Sequence, residues 1–191
     1  MEASLKQNET VKLFTKLKVL AFERNLKKEL GKIQREHHQF YVDEVETIGI
    51  LYHLADEDTD KMITDFVVEL RENDLKVTVL GLYKEKVIPN YYIQKLSSFL
   101  LTPKTINWFN KPKAPFVKSF IDEKFDLLID LTMEDYQPLV YAGILSKAHF
   151  KTGRYTEKNA KYYDLMIHTE QVQTLAEFIE HVKHYLSKVN R

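Results

Sequence analysis

The stretch "FDLLIDLT", residues 125–132, decides the fold class of this chain. It is apolar at both odd and even positions, and such a strand is buried on both faces, as in the centre of a parallel sheet. Two further apolar runs, at residues 47–54 and 75–83, enclose a segment of helical periodicity. A strand, a helix and a strand joined in this way almost always cross over right-handed and leave the strands parallel. The chain is therefore predicted to be α/β.

The remaining apolar patterns complete a mostly parallel, Rossmann-like sheet with helices on both faces and an N-terminal helical arm. Asp58 or Thr59 is predicted to cap the first helix of the sheet, and Pro89 to begin another short helix. The loop that carries Trp108 is expected to fold over the sheet. Further strands are predicted at residues 99–101, 148–153 and 162–169, and further helices at residues 115–123, 136–147 and 174–189. We expect the arm at residues 1–43 and the α/β domain at residues 44–191.

The predicted arm helix covers residues 11–36, because leucines recur at three- and four-residue steps from Leu13 to Leu20. Gly31 predicts an early end, since glycine costs about 1 kcal/mol relative to alanine inside a helix. Residues 1–38 hold nine Lys or Arg and five Asp or Glu, a net charge of +4, which leaves 19 basic and 23 acidic residues, a net of −4, for the remainder. The arm is therefore expected to pack on its own acidic domain or on a partner.

The composition restricts the class of protein. The 191 residues are 44% apolar and have a formal net charge of zero, so the total charge gives no argument for a nucleic-acid partner. The chain lacks cysteine, which excludes disulfides, thiolate metal sites and a cysteine nucleophile, and which fits a reducing compartment. It shows neither a secretory signal nor an apolar run of about 18 to 20 residues, the length that spans a bilayer. We expect a cytoplasmic protein without a transmembrane segment.

Polar residues follow the predicted strands where a ligand would bind. In an open parallel sheet the ligand crevice lies beyond the carboxyl ends of the strands, where the strand order switches direction. We predict a candidate pocket there, lined by Asp56, Asp58, Asp130, Thr132, Glu134, Lys151 and Arg154. Other groups at the strand ends are His53, Tyr83, Lys84, Asp135, Tyr155 and His168.

The carboxylates at this edge leave two hypotheses open. In the first, Asp130 binds a hard cation such as Mg²⁺ together with Asp56 or Asp58, because Mg²⁺ is held by a few carboxylates and retained waters. In the second, Glu134 and Asp135 cap the helix that begins near residue 136 and complement its dipole, while Asp130 accepts backbone hydrogen bonds. The second hypothesis is favoured, and the sequence identifies no metal site, no cofactor and no catalytic residue.

The motifs that bind phosphate in nucleotide enzymes are missing. The first strand is followed by "HLADEDTDK", residues 53–61, which has no glycine and an excess of negative charge. Neither the P-loop pattern nor a Gly-x-Ser-x-Gly elbow occurs in the chain. Lys151 and Arg154, on either side of Gly153, would suit an anionic ligand, although two cations and one glycine are an unspecific pattern.

The order of the motifs resembles a known family. "TIGILYHL", "KVTVLGLY", "INWFNKPK" and "FDLLIDLTMED", in this order, resemble an uncharacterised bacterial family of small single-domain proteins, a domain of unknown function. This resemblance implies a shared fold and no activity. The unit "FDLLIDLTMEDYQPLVYAGILSKAHFKTG" is similar in layout to one Rossmann unit of heptosyltransferase-type glycosyltransferases. Their second domain, which carries the sugar nucleotide, has no counterpart here, so this likeness implies the fold alone.

Three functions fit these observations. The first is a noncatalytic binding or interaction module, in which the arm, the aromatic loop and the strand-end crevice recognise a protein or small ligand; self-association through the arm belongs to this hypothesis. The alternative is an enzyme that acts on a phosphorylated or sugar-like substrate at the C-terminal edge of the sheet, with or without a metal. The third is peripheral membrane attachment through the basic arm.

Overall fold

A computed structural model of the chain describes residues 2–36, 40–169 and 174–186, with residues 2–10 described only as backbone. Within these residues the strands form one six-stranded sheet in which all neighbours are parallel. The strands are β1 (Thr47–His53), β2 (Lys76–Leu82), β3 (Ser98–Leu101), β4 (Leu127–Asp130), β5 (Phe150–Arg154) and β6 (Leu165–Ile167). Their order, β3-β2-β1-β4-β5-β6, places the strand predicted to be central beside β1. The predicted parallel, Rossmann-like α/β class is confirmed.

Helices cover both faces of the sheet. In the described part of the chain they are α1 (Glu2–Leu30), α2 (Glu57–Glu72), α3 (Pro115–Asp122), α4 (Gln137–Leu145) and α5 (Leu175–Leu186). The pleat of β4 separates the two layers, because successive side chains of a strand point to opposite faces. Leu128 packs with the core under α1, α3 and α4, whereas Leu127 and Ile129 pack with the core under α2 and α5.

α4 lies between the sheet and α1. Its residues from Pro138 to Leu145 are all buried, which explains why this helix has an apolar sequence on every side. α1 covers the outer side of α4: Phe22 is fully buried, with its ring 6.3 Å from that of Tyr141, and Leu26 is buried one turn further on. The C-terminal half of α1 is therefore part of the hydrophobic core.

Three helix predictions differ in their outcome. α1 ends at Leu30, directly before Gly31, as the glycine indicated. The prediction of a cap at Asp58 or Thr59 was wrong, because the cap of α2 is Asp56, whose Oδ1 accepts a hydrogen bond from the Thr59 N–H at 2.8 Å.

The helix predicted near Pro89 was also wrong. Residues 83–97 form bends and turns, closed in part by a hydrogen bond from the Tyr92 N–H to the Pro89 carbonyl. Tyr91 and Tyr92 both pack against the α2/α5 side of the core. Consecutive side chains of an α-helix diverge by about 100°, so two neighbours that face one core favour a turn.

The segment after α1 is fixed by Arg35. Its guanidinium donates hydrogen bonds to the carbonyls of Ala148 and His149, at 2.7 and 3.0 Å, and to the carboxylate of Asp164. A longer bond of 3.4 Å reaches the Tyr162 carbonyl. Only 11% of the Arg35 side chain is exposed, so this ion pair is shielded from solvent. Arg35 thus connects the end of α1 to the segments that precede β5 and β6.

Replacement of Arg35 by alanine should lower the free energy of unfolding by about 3 kcal/mol, because Asp164 loses its ionic partner and several carbonyls lose a donor in a shielded site. Arg35→Lys keeps the charge without the planar fork, so its free energy of unfolding should lie between those of wild type and Arg35→Ala. Urea denaturation of wild type, both variants and the exposed control Arg24→Ala measures the effect. A loss below about 0.5 kcal/mol in Arg35→Ala, the range of ordinary surface substitutions, would contradict this assignment.

Candidate functional site

The carboxyl ends of β1 and β4 are neighbours at the centre of the sheet. From β1 the chain proceeds outward to β2 and β3, whereas β4 begins the series that proceeds to β5 and β6 on the other side. This is the topological switch point, where open α/β sheets bind ligands. His53 ends β1 and Asp130 ends β4, so both lie at the predicted edge.

Asp130 is held inside the protein by its neighbours. Its Oδ1 accepts hydrogen bonds from the N–H and the hydroxyl of Thr132, at 3.0 and 2.7 Å, and its Oδ2 accepts one from the Tyr163 hydroxyl at 2.6 Å. Asp130 is only 3% exposed, and this burial raises the pKa of its carboxyl, while the hydrogen bonds oppose the shift. Asp130 and Thr132 thus lie in contact, and the Tyr163 hydrogen bond connects the end of β4 to the segment before β6.

Two glycines make room for the Tyr163 ring. A Cβ at Gly143 would overlap the Tyr163 hydroxyl, and a Cβ at Gly153 would lie 2.9 Å from a ring carbon. Such contacts essentially never occur, so both residues must lack a side chain for the tyrosine to reach Asp130. The sequence near β5, which suggested a place for an anion, is therefore used here for close packing.

Lys151 lies away from this edge. It is the second residue of β5, and its Nζ donates hydrogen bonds to the carbonyls of Gly143 and Ile144, at 3.0 and 3.1 Å, in the last turn of α4. A cation is favourable there, because the last carbonyls of a helix lack intrahelical donors and carry partial negative charge. Burial lowers the pKa of Lys151 to about 7, and the charge of Arg35 acts in the same direction.

The other predicted residues lie at the edge with different partners. Arg154 donates a 2.6 Å hydrogen bond to Asp135, and its Nε has no hydrogen-bond partner among the described residues. Asp56 caps α2, and its hydrogen bonds from Thr59 lower the pKa of its carboxyl. Asp58 is exposed in the first turn of the same helix. Over residues 2–36, 40–169 and 174–186, no group of three or more His, Asp or Glu side chains has the geometry of a metal site.

A second polar cluster at the switch point is one that the predicted pocket did not include. The ring of His53 stacks on that of Tyr136, with centroids 4.2 Å apart, and the Nζ of Lys84 lies 4.5 Å from the centroid of the Tyr136 ring. Burial is the main cause that lowers the pKa of His53, and the charge of Lys84 adds to it, while Glu134 and Asp56 oppose it. We call His53, Lys84 and Tyr136 the switch-point cluster.

The sequence contained part of the signal for this cluster. His53 and Lys84 were identified as strand-end groups, but Tyr136 lies in the turn before α4, where only a helix boundary was predicted. Burial raises the pKa of Tyr136 to about 12, and a hydrogen bond with Glu134 contributes. Glu134 therefore belongs to the surroundings of the switch-point cluster.

The larger grooves lie on the two helical faces. One of about 530 Å³ runs between α3, α4 and the end of α1, and its lysines are Lys32, Lys111, Lys113, Lys118 and Lys147. A second, of about 520 Å³, lies between α2 and α5. A third, of about 390 Å³, lies between α1 and Trp108. None of these three is lined by the switch-point cluster.

Comparison with known protein families gives one match. A model described as a family of unknown function, DUF6913, matches residues 18–189. The chain belongs to the DUF6913 family. The predicted membership of an uncharacterised family is thereby confirmed, whereas the likeness to heptosyltransferases and the bacterial origin stay predictions. Searches of curated proteins and of solved structures gave no match.

The family match includes only part of α1 in this DUF6913 protein. It begins at residue 18, four positions before the buried Phe22, so it covers the part of α1 that packs on α4.

In the ranges that the structure describes, no helix is both long enough and apolar enough to cross a membrane.

The buried amine of Lys151 predicts a specific pH dependence of stability in this DUF6913 protein. Between pH 7 and pH 10.5 the folded chain has lost a proton that the unfolded chain still binds. Unfolding then takes up a proton, so stability rises with pH in this window, by up to about 1.4 kcal/mol per pH unit. Below this window both states are protonated and the cost of the buried charge is fully present.

Urea denaturation across this pH range compares wild type with Lys151→Met, which keeps the chain length without the titrating group. The free energy of unfolding of wild type should increase relative to the variant as the pH rises. Lys86→Met, in an exposed loop, is the matched control. A constant difference between wild type and Lys151→Met would contradict the lowered pKa.

Proposed function

We propose that this protein is a noncatalytic protein-binding module whose binding surface is formed by α1 and Trp108. The observation that carries the proposal is a set of apolar side chains on α1 that nothing in the described structure covers. Leu13, Phe14, Leu17 and Leu20 are between 49% and 61% exposed, and we call them, with Ala21, the outer face of α1. Exposed apolar patches of this kind mark interaction sites in soluble proteins.

The outer face is distinct from the face that packs on α4. Phe22 and Leu26 are directed into the core, whereas Leu13, Leu17 and Leu20 lie on the opposite side of the helix and repeat at four- and three-residue steps. An isolated helix is only marginally stable in water, and its stability in proteins comes mainly from packing of an apolar face. A partner that covers the outer face would therefore add to the stability of the N-terminal half of α1.

Trp108 extends this surface beyond the helix. It is 55% exposed, and its ring lies 6.3 Å from that of Phe14 and 5.2 Å from that of Phe109. Phe109 packs against the core, so the tryptophan is held by a fixed neighbour. Exposed tryptophan next to aliphatic side chains is typical of residues that dominate binding energy.

The charges around the outer face indicate the chemistry of the partner. Lys12, Lys16 and Lys18 lie on the same stretch of α1, and Arg24 lines the groove between α1 and Trp108. A complementary partner presents an apolar groove with an acidic rim.

The roles of Asp130 and Lys151, whose polar atoms bond to the protein itself, support a noncatalytic function. A cytoplasmic location and the absence of a nucleic-acid partner belong to this proposal, supported by the lack of cysteine and the zero net charge.

A photo-crosslinking amino acid at position 17 tests the module. In cells it should capture a defined protein, which includes a second copy of the chain, while the same probe at position 86, in an exposed loop, should not. The purified pair should then lose at least about tenfold in affinity on Leu17→Glu, about 1.4 kcal/mol, without loss of thermal stability. An affinity that is insensitive to Leu17→Glu would contradict the proposal. Binding to anionic vesicles that depends on Leu17 would replace the protein partner with a membrane surface.

A second candidate function rests on the switch-point cluster. His53, Tyr136 and Lys84 provide an imidazole, an aromatic platform and a cation at the position where α/β sheets bind ligands, with Glu134 and Asp56 nearby. This set suits an enzyme that acts on a phosphorylated or sugar-like substrate. Of the sequence-predicted pocket, Asp56 and Glu134 adjoin the cluster, and Asp58, Asp130, Thr132 and Arg154 would shape its surroundings, with Lys151 supporting α4.

NMR of the histidine rings tests this second candidate. Titration with sugar phosphates and nucleotide sugars, with and without Mg²⁺, should move the His53 resonances. The resonances of His181, an exposed residue of α5, should stay unchanged. His53→Ala should then abolish the effect of the same compounds on the melting temperature, which a ligand raises by mass action. If no compound moves the His53 resonances, this candidate is rejected.

A further inference from the structure

The face of the sheet opposite α1 carries an apolar groove with an acidic rim. The groove lies between α2 and α5, and we call it the α2/α5 groove. Phe66 and Ile179 form its buried floor, and the Nζ of Lys183 lies 5.3 Å from the centroid of the Phe66 ring. The ionisable residues that line it are Asp65, Glu69, Glu177, Glu180, His181 and Lys183. Four acids and one lysine give the groove a formal charge of −3 with a neutral histidine; Lys183 pairs with Glu69 and Glu180, and Asp65 pairs with Lys61 beside the groove.

The segment of α1 that carries the outer face has the complementary charge. Residues 10–22 contain Lys12, Lys16 and Lys18 and no acidic residue, a formal charge of +3. The length also fits: residues 11–20 of a helix extend about 15 Å and the 12 residues of α5 about 18 Å, at about 1.5 Å per residue. Charge, apolar character and length therefore match between two surfaces of the same chain.

α1 cannot reach the α2/α5 groove of its own molecule. Phe22 and Leu26 fix its C-terminal half on α4, which lies on the other face of the sheet. The helix continues without interruption from Glu2 to Leu30, so the outer face cannot turn around the sheet edge. An occupant with this chemistry must come from another molecule.

We propose that the outer face of α1 of one molecule binds in the α2/α5 groove of a second copy of the chain. This inference rests on the proposed function, since it names the partner of the same α1 surface. The contact is a helix in a groove: leucines meet the apolar lining, and Lys16 and Lys18, which flank the leucines on the helix, meet the acidic rim. Each molecule carries both surfaces, so the contact closes as a reciprocal dimer or continues as a chain of copies.

Sedimentation equilibrium of the full-length protein measures the association. The weight-average mass should rise with concentration from 22.6 kDa to at least twice that value. Added salt should weaken the association, because opposite charges on the two surfaces are screened. Leu17→Glu on α1 and the double variant Glu69→Lys/Glu180→Lys in the groove should each abolish it. The matched controls Val87→Glu and Glu85→Lys, both in an exposed loop, should associate as wild type does.

A mixture of the two deficient variants gives the decisive result. Leu17→Glu retains an intact groove, and Glu69→Lys/Glu180→Lys retains an intact α1, so the two monomeric variants should form a one-to-one complex when mixed. Partial recovery is also expected when Lys16→Glu is combined with Glu180→Lys in one chain, since the charges are exchanged. Circular dichroism of each variant confirms that it is folded.

Three outcomes would overturn the inference. A monomer at every concentration does so, and the photo-crosslinks from position 17 then decide separately whether the protein-binding module survives with another partner. Association that is lost in Leu17→Glu but kept in the groove variant would mean that α1 pairs with α1 of the second copy. Association that both variants retain would exclude both surfaces.

Discussion

The burial of α4 on all sides is the constraint on which the rest of the structure depends. A helix whose residues from Pro138 to Leu145 are all apolar and buried needs cover from the sheet below and from a second layer above. α1 supplies that layer through Phe22 and Leu26. The last carbonyls of α4 lack intrahelical donors, and the Nζ of Lys151 donates to two of them from β5. An N-terminal helix and a buried lysine thus have one common cause.

The same constraint explains the fate of the strand-end polar groups. Gly143 of α4 and Gly153 of β5 leave space for Tyr163, whose hydroxyl reaches the buried Asp130. A carboxylate in such surroundings is stable only when its oxygens are bonded, because an unpaired buried acceptor costs about 1 to 3 kcal/mol. At the switch point itself, the rings of His53 and Tyr136 stack on each other, with centroids 4.2 Å apart. The edge is polar, and the carboxylate oxygens of Asp130 bond to other residues of the protein.

The sequence predicted the sheet better than the site. The apolar runs that became β1, β2 and β4 were long and regular, and the parallel order followed from the crossover between them. The strand-end rule identified Asp130 correctly as a terminal residue, but the partner of Asp130, Tyr163, lies 33 residues later. Periodicity also could not distinguish the two sides of α1, because leucines occur on both. Which side is buried depends on α4, a helix more than 100 residues further along the chain.

The continuity of α1 has a consequence for how its two faces are related. Between Glu2 and Leu30 the helix contains no glycine or proline, so the direction of the outer face is set by the rotational phase of Phe22 in the core. One inserted residue between them would rotate Leu13 and Leu17 by about 100° around the axis, while every side chain stayed the same. The number of residues between Phe22 and the outer face therefore sets the direction of that face, and an insertion or deletion there would redirect it without changing its side chains.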